Sequence, residues 1–94
     1  MRVLCVCRKG NVRSVEMKRV LNKRGYKDVL SVGGLTVSKK TLNMLSEWAD
    51  LILLAKPSHG KNIKHNYRSK INKEFYIGDD LEIIVNKQLD KIKL

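Results

Sequence analysis

Acidic residues are scarce in this chain: nine Asp and Glu stand against twenty Lys and Arg, for a net charge of +11 in 94 residues. Aromatics make up 5%, there is one proline, and there are two cysteines. Few aromatics mean an aliphatic core. No apolar run approaches the roughly 20 residues that cross a bilayer, and the apolar stretch Val3–Val6 is too short for a secretory signal. The expectation is a soluble, cytoplasmic protein without membrane contact. Cys5 and Cys7 lie two apart in one strand, a poor spacing for a disulfide and one without metal partners nearby, so both are read as reduced thiols. The size suits one domain spanning residues 1–94, with a core that needs no staples.

The charge that is present is uneven. Residues 1–27 carry nine Lys and Arg and only Glu16. Residues 56–73 carry six Lys and Arg, two His and no acid. Acids gather from Glu74 to Asp90. Such a balance attracts phosphorylated ligands or nucleic acid, and fixes the sign of a partner rather than its identity.

Hydrophobic periodicity alternates between strand and helix. The expected order is a strand at Arg2–Cys7, a helix at Ser14–Arg24 closed by Gly25, a strand at Asp28–Val32, and a helix capped by Ser38 or Thr41. A strand at Asp50–Leu54, a short basic helix within Ser58–Tyr67, a strand at Glu74–Ile77 and a last helix from Leu81 follow. This pattern predicts a three-layer α/β sandwich around a four-stranded parallel sheet. Ligands of such sheets bind beyond the carboxyl ends of the strands. The loops after the first and fourth strands both lie there, so Cys7–Ser14 and Gly78-Asp79-Asp80 are predicted to meet.

The segment Cys7-Arg8-Lys9-Gly10-Asn11-Val12-Arg13-Ser14 joins the first strand to the first helix. A helix start presents backbone N–H groups and a positive dipole end, which suit a phosphate dianion and stabilise a thiolate. Residues 8–14 are the expected phosphate-binding loop. Cys7 is the candidate nucleophile, with its pKa lowered by Arg8, Lys9 and Arg13 and with Ser14 able to donate to the sulfur. Arg13 can hold two phosphate oxygens at once. Asp79 is the candidate general acid, with Asp80 as the alternative. No metal or cofactor is needed for this chemistry, because loop amides and Arg13 can meet the developing charge. His59 and His65, in a basic stretch without an acidic partner, are read as solvated surface, and Trp48 as core.

These residues resemble the low-molecular-weight protein tyrosine phosphatase family, especially its short predicted-phosphatase branch. The resemblance runs through Val3-Leu4-Cys5-Val6-Cys7, Asn11-Val12-Arg13-Ser14-Val15-Glu16, Ser31-Val32-Gly33-Gly34, Trp48-Ala49-Asp50-Leu51-Ile52 and Ile77-Gly78-Asp79-Asp80, in family order. It implies a flavodoxin-like core with strand order 2-1-3-4 and hydrolysis of phosphate monoesters through a phosphocysteine. The family usually carries Asn three residues after the nucleophile; here Gly10 holds that place and Asn11 follows. The alternative function is a phosphate- or nucleic-acid-binding module that keeps the loop without turnover.

Overall fold

A computed structural model of the chain describes residues 1–78 and 82–94. Three parallel strands form the sheet: β1 (Val3–Cys7), β2 (Val29–Gly33) and β3 (Leu51–Leu54), in the order β2-β1-β3. Val3 pairs with Val29 on one side and Leu51 on the other. Every residue of the central strand β1 is buried. Alternation along it divides the core. Val3, Cys5 and Cys7 face α1 (Arg13–Lys23) and α3 (Glu82–Lys91), with Met17, Val20, Leu21, Val85 and Leu89. Leu4 and Val6 face α2 (Lys39–Trp48), with Leu42, Ala49 and Ile63. A strand flanked on both faces must be apolar at successive positions, so the sequence reads as an unbroken hydrophobic run. The predicted three-layer α/β arrangement is present.

Helix boundaries follow local chemistry. Helix α1 ends in a Schellman turn: Tyr26 N–H donates to Leu21 O and Gly25 N–H to Asn22 O, with Gly25 at φ +97°. Helix α2 is capped by Ser38, whose Oγ accepts from Thr41 N–H at 3.2 Å. That settles the choice between Ser38 and Thr41. At its other end, Lys70 Nζ donates to the carbonyls of Ser46 and Glu47, a cation where the helix dipole is negative.

The fourth strand is a correction. Glu74–Ile77 does not form one. Ile71 bridges Ile52, and Asn72 N–H donates to Ile52 O; Ile77 and Gly78 N–H then both donate to Ala55 O. The chain thus spends the stretch from Ile71 to Ile77 passing only the short stretch from Ile52 to Ala55, and a regular ladder cannot absorb the excess. Asn72 Oδ1 accepts Glu74 N–H and turns the chain away from β3. Phe75 and Ile77 stay buried, so the hydrophobic alternation that predicts a strand is present without its ladder. The basic stretch after β3 also differs from expectation. It forms two 3₁₀ turns, Pro57–Gly60 and His65–Lys70, rather than one helix. Among the described residues, no helix is long and apolar enough to cross a membrane.

Candidate functional site

The loop between Cys7 and Arg13 folds over the end of β2 by backbone contact. Gly10 has φ +75°, and a Cβ there would stand 2.5 Å from Gly33 N. A Cβ on Gly33 would meet the Lys9 carbonyl carbon at 2.5 Å. Any side chain at either position would push the two backbones apart, so this Gly10–Gly33 contact needs both glycines. Gly34 N–H donates to Cys7 O at 2.8 Å and Leu35 N–H to Arg8 O, which ties the loop down from the other side.

This placement curls the loop around the Cys7 sulfur. Gly10 N–H donates to Sγ at 3.1 Å, and Ser14 Oγ lies 3.2 Å away. Ser14 is fully buried, so its hydroxyl is committed to this contact. Helix α1 has no side-chain cap: Val12 stands at that position, 69% exposed, with nothing to offer the first amides. Burial alone would raise the Cys7 pKa, but hydrogen bonds from the Ser14 hydroxyl and the amides of Ser14, Gly10 and Val12 outweigh it, and the net direction is downward. Cys5, two residues earlier, has no such donors; burial pushes its thiol up to about 12. Both cysteines are free thiols on the same side of the sheet, and only Cys7 is poised to ionise.

A cavity of about 340 Å³ opens above the sulfur, lined by Cys7, Arg8, Lys9, Asn11, Val12 and Arg13. Five of the seven predicted loop residues therefore surround one space; Gly10 and Ser14 hold the sulfur from beneath. Arg13 reaches across 65 positions of sequence to donate from Nη1 to Gly78 O at 2.8 Å. The segment ending at Gly78 thus comes to the loop, as predicted. Asp79 and Asp80, the two candidate acids, lie outside the described residues.

His59 overturns its sequence reading. It is 3% exposed, and its Nδ1 is buried with no hydrogen-bond partner among the described residues. Its carbonyl packs on Gly34, the residue that ties Cys7 O. Burial, then the charges of Arg13, Lys56 and Arg8, holds its imidazole below the usual range, so it is neutral at pH 7. The available signal was its position just past the carboxyl end of β3, where sheet ligands gather. His65 is exposed, as read. Among the described residues, no group of His, Cys, Asp and Glu could hold a metal ion.

Comparison with protein-family models, curated proteins and solved structures finds no match for the chain.

Proposed function

We propose that the protein hydrolyses phosphate monoesters through a phosphocysteine on Cys7, as its resemblance to low-molecular-weight protein tyrosine phosphatases implies. The observation that carries this reading is the Cys7 sulfur, ringed by loop amides and the Ser14 hydroxyl at the uncapped start of α1, with its pKa lowered. A structural thiol gains nothing from such donors. They stabilise a thiolate, and the same cradle with Arg13 suits the equatorial oxygens of a phosphoryl group.

In the proposed reaction, the Cys7 thiolate attacks phosphorus in line and the ester P–O bond breaks. The leaving oxygen takes a proton from Asp79, or from Asp80 in its place. Water then attacks phosphorus, giving its proton to the same carboxylate, and the S–P bond breaks to release inorganic phosphate and the thiolate. Arg13 holds two phosphate oxygens through both steps. Arg8 and Lys9, exposed beside the cavity, raise the local concentration of anionic substrates.

Quenching the protein in alkaline denaturant, which preserves the acid-labile S–P bond, during turnover of p-nitrophenyl phosphate tests this directly. Mass spectrometry should find phosphate on the peptide carrying Cys7. Turnover without any phosphorylated cysteine would refute the mechanism. No turnover of any phosphomonoester, with phosphate still bound by residues 8–14, would leave a phosphate-binding module.

A further inference from the structure

A second cavity lies away from Cys7, where the fourth strand fails. Two ties hold the chain beside β3: Asn72 N–H to Ile52 O at 3.0 Å, and the amides of Ile77 and Gly78 to Ala55 O at 3.2 and 3.1 Å. Between them, no backbone bond joins residues 73–76 to Leu53 or Leu54 among the described residues. Leu51 and Ala55 donate their amides to Arg2 O and Val6 O, toward β1. By strand alternation, Ile52 and Leu54 turn their backbone groups to the opposite edge. Ile52 O is taken by Asn72. The N–H and C=O of Leu54 face the gap and have no backbone partner among the described residues.

That gap is a cavity of about 730 Å³, inside the range of roughly 300–1,000 Å³ common for small-molecule sites. Leu54, Ile71, Phe75 and Pro57 give it apolar walls, while Arg68 and Lys73 stand on its rim. Among the described residues no carboxylate lines it, and none of its lining residues also lines the Cys7 cavity. Carbonyls of Gly60 and Ile63 hold Arg68 Nη1, leaving its other N–H groups without a partner among the described residues. Lys73 has neither hydrogen bond nor ion pair among them.

We propose that this cavity binds one nucleotide. A flat, largely apolar ring fills the gap between Phe75 and Pro57, and its in-plane donor and acceptor pair with the C=O and N–H of Leu54. The phosphate lies on Arg68 and Lys73. A fatty acyl chain would use the walls and waste the strand edge; an acidic peptide would use the rim and leave the walls unfilled. A nucleotide uses all three features. Its source is either a free nucleotide or one residue of a single-stranded RNA.

The test is amide NMR on the isotope-labelled full chain carrying Cys7→Ser, which has no thiolate to cleave the ester, titrated with adenosine monophosphate. The amides of Leu54, Lys73 and Phe75 should shift. Adenosine alone should bind roughly tenfold more weakly, as should the nucleotide to Lys73→Glu, since each removes a charge-assisted contact. Ser69→Trp, at the exposed mouth, should abolish the shifts. If a short oligoadenylate moves the same amides at lower concentration than the mononucleotide, the ligand is an RNA strand; the reverse order makes it a free nucleotide. The proposal is overturned if neither ligand moves Leu54 and Phe75, if only residues 8–14 respond, or if folded Lys73→Glu binds as wild type. None of these outcomes depends on Cys7 being catalytic.

Discussion

Helices α1 and α2 each follow a strand of the same parallel sheet, and both start at its carboxyl edge. Their first turns are built differently. Ser38 satisfies the start of α2 from within, its Oγ accepting Thr41 N–H. Val12 satisfies nothing at the start of α1, and the amides there and in the preceding loop converge on the Cys7 sulfur. A helix start left without a cap costs stability of about 1 kcal/mol. The difference teaches that α2 begins where its own cap closes it, whereas the start of α1 turns its amides to the Cys7 sulfur.

The contrast predicts a graded series. Cys7→Ser removes the group that the α1 start is built around. It should abolish phosphomonoester turnover, while inorganic phosphate still shifts the amides of residues 8–14 in an NMR titration. Residual turnover close to wild type would place the nucleophile elsewhere. Arg13→Lys keeps the charge but loses the planar fork. Turnover of p-nitrophenyl phosphate should fall by roughly tenfold or more, since one ammonium cannot hold two oxygens in fixed geometry. A variant with unchanged kinetics would reduce Arg13 to its tie with Gly78 O.

Ser14→Ala probes the thiolate itself. The hydrogen bond from the Ser14 hydroxyl lowers the Cys7 pKa more than any single loop amide does, so its removal moves that pKa up. Thiolate is the reactive form, and raising the pKa leaves less of it at a given pH. Iodoacetamide labelling of Cys7 at pH 6 should slow by about fivefold, for a hydrogen bond worth ~1 kcal/mol, and its pH midpoint should rise. Cys5, pushed up to about 12, should stay unlabelled in both proteins. Equal labelling of the two cysteines would show that the α1 start does not tune its sulfur. Ser38→Ala should have the smallest functional effect. It removes the α2 cap and should lower unfolding free energy by about 1 kcal/mol in urea titration, with turnover unchanged. If turnover drops as well, the two helix starts are coupled through the sheet.

Basic residues on the two faces of the sheet make a second contrast. Along α1 and α3 they meet acids: Arg19 pairs with Glu16 and Glu82, Lys23 with Glu82, and Arg24 with Asp90. In the second 3₁₀ turn they meet carbonyls, as Arg68 does at Gly60 and Lys70 at Ser46. Charge counting alone shows the excess of cations in residues 56–73 but not this use of them.

Local pattern was enough for much of the molecule. The apolar run Val3–Cys7, the loop with Gly10 and the stripe Met17, Val20 and Leu21 specify strand, loop and helix by themselves. Each depends on neighbours within a few residues, and together they set Cys7 and Arg13 at the two ends of one loop. Gly25 as the stop of α1 was readable for the same reason, and the start of α2 was narrowed to Ser38 or Thr41. Only tertiary structure decided the rest. Whether Phe75 and Ile77 join a ladder depends on register against β3, twenty residues earlier, where Asn72 turns the chain out and opens a cavity. Whether His59 is wet or buried depends on Gly34, which leaves room for its carbonyl. Propensity and periodicity describe a residue's neighbours along the chain. Register and burial belong to pairs brought together from far apart, and those pairs exist only once the sheet has formed.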